Sequence, residues 1–270
     1  MGQFGIGQPV RRKEDVRLVK GGGEYTDDIA LPGQLWAAFV RSPHAHALIR
    51  SIDAGAARAT PGFVDILTGE ELDAAGLGRM ITDAEFEDRS GRPMSRPLRR
   101  ILPLDRTRFA GECVAMVVAE TEEGAREAAE LVEIDYEPLP AVIATCDALA
   151  ADAPKVWPEF DSNLVVHWEH GDKADVEARL SAAAHRVRVE LVNQRIAVSP
   201  MEPRVVAATF DRTSGVLTIY SPTQGGRRMQ AQIAKNVLKM EMDKVRIVSR
   251  DTGGGFGIRS KVYPETVCVA

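Results

Sequence analysis

Cysteine is scarce in this chain: Cys113, Cys146 and Cys268 lie far apart and form no C-x-x-C pair. That excludes a zinc ribbon, an iron–sulfur cluster carried by the segment itself and a disulfide framework. A positive excess is missing as well. The formal charge is -5, from 34 basic and 39 acidic residues, which argues against general affinity for nucleic acid or anionic membranes. No apolar run approaches the roughly 20 residues needed to span a bilayer. The first residues, Met1-Gly-Gln-Phe-Gly-Ile-Gly-Gln-Pro9, lack a basic-then-apolar export signal, so a cytoplasmic location is the default expectation. Nucleophile elbow, P-loop lysine and Cys–His dyad are likewise absent.

What is present is ample apolar material, 44% of 270 residues, enough for one large or two ordinary domains. Residues 35–41 and 62–68 read as strands set off by Ser42-Pro43 and Thr60-Pro61. Residues 113–119 are nearly all apolar, as expected of a strand in the middle of a sheet, covered on both faces. Thr121 caps a helix with Glu122 and Glu123 at its positive end and Ala125, Ala128, Ala129 and Val132 at helical spacing; a strand over 132–136 stops at Pro138. Strand, helix, strand is the succession of a mixed α/β, or α+β, domain. Residues 13–145 make up this first domain and 146–165 a proline-bearing linker.

The second domain, 166–270, opens with a helix at Gly171-Asp172 on which Val176 and Leu180 share a face. Residues 185–191 alternate polar and apolar like a half-exposed strand. Residues 205–210 and 216–220 form a hairpin around Asp211-Arg-Thr-Ser-Gly215. A helix over 226–240 follows, capped by Ser221 or Thr223, with Met229, Ile233 and Val237 as its apolar face. A strand over 245–250 then leads into Asp251-Thr-Gly-Gly-Gly-Phe-Gly-Ile-Arg259. Pro264 suits the first turn of one more helix. Only six residues follow it, so the chain is expected to be part of a larger polypeptide.

Two stretches of this second domain point at a ligand. Glycines 253, 254, 255 and 257 leave bare N–H groups able to approach an anion, and Phe256 is set among them with room to project. Thr223-Gln224-Gly225-Gly226 stands at a helix start, where N–H groups and partial positive charge are available, with Gln224 as a neutral side-chain donor. A phosphate-bearing or oxo-bearing ligand fits between the two stretches; a tight turn and a solvent-exposed cap fit them separately. Arg227, Arg228 and Arg259 are candidates to neutralise ligand charge. The pairs His44/His46 and His167/His170 lack a third ligand and suit surface or turn roles. Seven arginines between Arg89 and Arg108 read as a solvated loop, with a subunit contact as the second reading.

Taken in order, these motifs resemble one family: the large, molybdenum-binding subunit of the xanthine dehydrogenase, aldehyde oxidase and carbon monoxide dehydrogenase superfamily. Gly23-Glu-Tyr-Thr-Asp-Asp-Ile-Ala-Leu-Pro-Gly33, Phe39-Val-Arg-Ser-Pro-His-Ala-His-Ala47, Pro61-Gly-Phe-Val-Asp-Ile-Leu-Thr-Gly69 and Gly111-Glu-Cys-Val-Ala-Met-Val-Val-Ala-Glu-Thr121 look like its a/b hammerhead domain. Ser199-Pro-Met-Glu-Pro-Arg204, Ser221-Pro-Thr-Gln224 and Gly253-Gly-Gly-Phe-Gly257 look like the first part of its molybdenum-cofactor-binding domain.

The resemblance implies a two-electron oxidative hydroxylation of an aldehyde, an N-heterocycle or carbon monoxide, with water as oxygen source. It implies molybdopterin, in the cytosine dinucleotide form, with the metal held by the pterin dithiolene and by no side chain of this segment. Gln224 and Phe256 take catalytic positions beside the metal. Thr223, Gln224, Gly225, Gly254, Gly255, Phe256, Gly257 and Arg259 bind the cofactor, although related sequences often carry lysine in place of Arg259. Glu202 belongs to a structural turn with a buried ion pair and is not the catalytic base. That base, with the substrate-selecting loops, is expected beyond residue 270. Partners implied are a [2Fe-2S] subunit and an FAD subunit in a dimer of heterotrimers. The alternative is a split or truncated module that serves assembly.

Overall fold

Short runs of apolar β-formers bounded by turn residues set up the first half. The computed structural model describes residues 7, 9, 11–82, 84–194 and 196–270. In order come α1 (Asp15–Leu18), β1 (Trp36–Arg41), β2 (Ala47–Asp53), α2 (Gly55–Arg58), β3 (Phe63–Thr68), α3 (Gly69–Ala74), β4 (Arg106–Thr107), β5 (Cys113–Ala119), α4 (Glu122–Glu130) and β6 (Glu133–Pro138). They build two antiparallel sheets, ordered β1-β5-β3 and β4-β2-β6. The apolar run of β5 is the central strand of its sheet, as its composition requires, and Val114, Ala115 and Val117 are fully buried. Ala115 and Val117 pack with Ala57, Ile66 and Ala128, while Met116 joins a larger core. Helix α4 starts at Thr121, whose hydroxyl accepts from the Gly124 N–H at 3.0 Å, and it buries Ala125 and Ala128.

The second half contains α5 (Lys173–Ala182), β7 (Ala207–Asp211), β8 (Val216–Tyr220), α6 (Gly226–Ala231), β9 (Val245–Val248) and α7 (Pro264–Val269). Asp172 caps α5 by accepting from the Asp175 N–H, and Pro264 occupies the first turn of α7. β7 and β8 form the expected hairpin, its turn held by Asp211, which accepts from the Thr213 N–H and the Ser214 hydroxyl. β8 pairs in parallel with β9, so α6 is the crossover of a β-α-β unit.

The two halves share one core. Met80, Ile101, Leu102, Cys113 and Met116 pack in the same cluster as Ile219, Ile233, Val237, Val245 and Val267. Gly78 presses directly on the end of the crossover: its N–H donates to the Val237 carbonyl at 2.7 Å, and a Cβ at this position would collide with the Asn236 backbone.

Three expectations need correction. The helix over 226–240 is α-helical only to Ala231; it continues as a π-helix over Gln232–Leu238 and ends where Lys239 adopts a left-handed φ of 54°. The wider winding still buries Met229, Ile233 and Val237, the face read from their spacing. Residues 185–191 are not a strand. Val187, Val189 and Leu191 are 89, 67 and 86% exposed, and no described strand lies beside them to complete a ladder. The arginine segment is not simply solvated, since Arg96 pairs with Glu85, Arg100 with Asp73 and Arg89 with Glu169, while Arg108 stacks over Trp157 at 3.9 Å. The histidines take turn and packing roles: His46 Nδ1 lies 3.0 Å from the Pro140 carbonyl and His44 meets Tyr136 edge-on.

Candidate cofactor-binding site

Because β8 and β9 are parallel neighbours, the loops that leave their carboxyl ends emerge side by side. Ligands of α/β units bind in this position. After β8 comes Ser221-Pro-Thr-Gln224, and after β9 comes the glycine loop. Ser221 N–H donates to the Val248 carbonyl at 3.0 Å, and the Ser249 hydroxyl lies 3.2 Å from the Thr223 nitrogen, so the two loops are laced together from the outset.

Gln224 closes the contact. Its backbone N–H donates to the Arg259 carbonyl at 3.0 Å, and its side-chain Oε1 accepts from the Gly257 N–H at 3.0 Å. The amide rests against Gly255, where an added Cβ would come within 2.6 Å of the Gln224 amide carbon, so a larger residue there would displace the Gln224 side chain. With Oε1 spent on Gly257, Nε2 remains as a donor. Gly254 and Gly257 have φ of 108° and 93°, and Phe256 itself has φ 47°, the turn-rich geometry that the glycines make affordable. The N–H groups of Gly254, Gly255 and Phe256 take no acceptor among the described residues. Three consecutive backbone donors and a side-chain amide therefore remain available on the two adjoining loops, a donor set that suits an anionic or oxo-bearing ligand.

The loop is held from beneath by a buried pair. Glu202 accepts from the Gly253 N–H at 2.8 Å and meets Arg259 Nη2 at 3.2 Å, the two side chains being 6 and 1% exposed. Arg259 also donates from Nε to the Gly254 carbonyl and from Nη2 to the Glu202 carbonyl. This corrects the expectation that Arg259 faces a ligand anion. Its guanidinium turns inward, because the loop carbonyls and the buried carboxylate need its donors. Glu202 lies in a turn with a buried ion pair, and the partner is Arg259. Arg204 instead sits over the Tyr263 ring at 4.0 Å.

Two other expectations change. The N-cap of α6 is Gly225, with no side-chain cap; the Thr223 hydroxyl accepts from the Gly225 N–H and reaches the Arg259 carbonyl, so it braces the loop two residues before the helix cap. Phe256 does project, but outward: it is 76% exposed, with its ring edge over Gly254. Arg227 bonds to Gln230 on its own helix.

One element of the site escaped sequence reading. Arg17 on α1 makes a bidentate pair with Asp251, at 2.6 and 2.7 Å, and Asp251 also accepts from the Glu24 N–H at 2.8 Å. Arg250 binds Glu24 in turn. The Arg17 guanidinium, and after it the Glu24 N–H, hold the Asp251 carboxyl at a pKa of about 2. The partners are more than 200 positions apart, and only the aspartate heading the glycine loop hinted at them. A cleft of about 1440 Å³ between β1 and β7 is lined by Trp36, Phe39, Ala208 and Ile258, but Gln224 and residues 253–257 lie outside it.

Residues 20–140 match the family described as aldehyde oxidase and xanthine dehydrogenase, a/b hammerhead domain, and residues 156–270 match the molybdopterin cofactor-binding domain. The chain is 32% identical to the carbon monoxide dehydrogenase large chain of Afipia carboxidovorans, with 98% of this chain and 33% of the relative covered. It is 34% identical to the nicotine 6-hydroxylase large subunit of Paenarthrobacter nicotinovorans, with 96% and 31% covered. The solved quinoline 2-oxidoreductase of Pseudomonas putida 86 superposes on 98% of this chain and 32% of its own with a TM-score of 0.86 at 32% identity. The chain thus belongs to the xanthine dehydrogenase family and represents its large-subunit type, a mixed α/β hammerhead domain joined to a molybdopterin-binding domain. It spans about a third of the length of the curated relatives it matches.

Proposed function

We propose that this chain is part of the catalytic subunit of a molybdenum-dependent hydroxylase, in which Gln224 and residues 254–257 form one wall of the molybdopterin site. The observation that carries this reading is the junction of Gln224 with Gly255 and Gly257, which leaves Nε2 and three loop N–H groups as donors that no described residue takes up. Such donors suit the oxo and phosphate groups of the cofactor, here the cytosine dinucleotide form. The cofactor, when bound, supplies the two-electron redox chemistry that adds an oxygen atom from water to substrate carbon. Gln224 orients the reacting end by a neutral hydrogen bond, and Thr223 and Gly225 hold Gln224. Arg259 with Glu202 keeps the loop in shape, and Phe256 covers the exposed side.

The substrate is an aldehyde, an N-heterocycle or carbon monoxide. The domains are 13–145 and 166–270, joined by the linker at 146–165. Electrons leave through [2Fe-2S] and FAD subunits in a cytoplasmic dimer of heterotrimers. Relatives named "large chain" and "large subunit" favour such smaller partners, and none of the described helices is long and apolar enough to cross a membrane.

Molybdenum and pterin analysis of the enzyme purified from its native cells, with a substrate panel over the three classes, is the direct test. Absence of both metal and pterin would sink the reading. Within that enzyme, Gln224→Ala is expected to lower kcat/KM by about 100-fold, the loss typical of one preorganised donor, with molybdenum retained.

A further inference from the structure

The segment around α1 folds back on itself and aims one side chain at the head of the glycine loop. The Gly22 N–H donates to the Arg17 carbonyl at 3.0 Å, and Arg17 Nη1 donates to the Gly22 carbonyl at 2.6 Å. So close a return admits no side chain: an added Cβ at Gly22 would come within 2.9 Å of Arg17 Cγ, and one at Gly23 within 2.8 Å of the Tyr25 ring. The guanidinium is thus oriented by its own segment, and both of its prongs then engage the Asp251 carboxylate. Asp251 is committed as fully. Its Oδ2 also accepts from the Glu24 N–H, its own N–H donates to the Glu24 carbonyl at 3.1 Å, and its side chain is only 18% exposed.

The place of this contact along the chain gives it consequence. Beyond Val248 the backbone has left the sheet, and among the described residues its next main-chain hydrogen bond is the one from Asp251 to Glu24. Gly253 is then held by Glu202, and Gly257 by Gln224. The free N–H groups of Gly254, Gly255 and Phe256 lie between these fixed points. Glu202 and Gln224 come from the same half as the loop, whereas Arg17 and Glu24 come from the far end of the chain.

We infer that Arg17 is a positioning residue for the cofactor: through Asp251 it clamps the start of the glycine loop, so that residues 254–256 offer their N–H groups from a loop already formed and the bound cofactor leaves slowly. This rests on the reading of the loop as a wall of the molybdopterin site. A loop fixed in advance loses less conformational freedom on binding, and removing that advantage acts mainly on the dissociation rate.

Arg17→Met, Arg17→Lys and Arg12→Met are compared in the enzyme produced in its native cells. Arg12 serves as the control, since it lies on the same segment and pairs with Asp15 at an exposed site. In Arg17→Met the amides of Asp251, Gly253 and Gly257 are expected to exchange hydrogen for deuterium about tenfold faster than in the parent, with the amides of β5 unchanged. Molybdenum and pterin, measured in the protein fraction during incubation in mild urea, are expected to be lost about tenfold faster as well. Arg17→Lys keeps the charge without the fork and is expected to fall between the two in both measurements; it carries the comparison if Arg17→Met fails to assemble. Adding Asp251→Asn to Arg17→Met is expected to accelerate neither process much further, and additive effects would place the action of Arg17 elsewhere and overturn the inference.

Faster loop exchange with unchanged cofactor loss would make the clamp structural only and also overturns it. Equal acceleration in the loop and in β5, or an Arg12→Met enzyme that behaves like Arg17→Met, has the same result. A parent enzyme without molybdenum and pterin removes the functional proposal, and loop exchange alone then decides whether Arg17 holds the loop. A loaded parent from which Arg17→Met cannot be told apart removes this inference alone.

Discussion

Glu202 and Arg259 decide the shape of the glycine loop, since each is buried and each has its donors or acceptors committed to loop backbone. Removing one partner strands the other charge in the interior, which costs about 3 kcal/mol or more. Glu202→Leu and Arg259→Met are each expected to lower the urea unfolding free energy by that amount, while the double variant loses clearly less than the sum; strict additivity would show that the pair does not interact. Asp251 offers a separate handle. Its folded pKa of about 2 lies below the ordinary 3.8, so the Arg17 link contributes stability that is present above pH 3.8 and disappears as pH falls through about 2. The melting temperature of Asp251→Asn should therefore trail that of the parent at pH 5 and match it near pH 2.

At the scale of elements, the β8-α6-β9 unit positions the site by aiming both loops from one sheet edge, and the first half supports it from behind. Gly78 is one point of that support. Gly78→Ala forces a methyl group against the Asn236 carbonyl and should destabilise the chain by about 1–3 kcal/mol in denaturant unfolding, far more than Gly76→Ala, which meets open space though it must bear a φ of 70°. Much at this level was legible in the residues. Thr121 announced the α4 cap, the apolar run of β5 announced a central strand, and Asp211 to Gly215 announced the hairpin, because capping, burial on two faces and tight turning are local requirements. The π-helical end of the crossover was not legible, since the spacing of Met229, Ile233 and Val237 reads the same for either winding. Residues 185–191 alternated as a strand does, but pairing requires a neighbour, and periodicity carries no information about one.

For the whole molecule, the shared core makes the two halves one folding unit, with Met116 of β5 and Ile219 of β8 in the same cluster. Among the described residues the site that results offers no free carboxylate: Glu202 is paired to Arg259 and Asp251 to Arg17. Proton abstraction at this wall has no group to perform it. The 270-residue chain expressed alone is therefore expected to give no turnover with aldehydes, N-heterocycles or carbon monoxide and to retain little molybdenum in metal analysis. Turnover by the isolated chain would show that these residues already contain the base.

The residues by themselves determined the class of the fold, several of its elements and the two loops that matter, because hydrophobic period, capping and glycine content act over a few positions; β2, the middle strand of the second sheet, went unread. The tertiary structure decided which groups meet. It placed Gln224 on Gly255 and Gly257, turned Arg259 inward to Glu202 and brought Arg17 to Asp251, since these contacts depend on the pairing of β8 with β9 and on packing between halves that are distant in sequence.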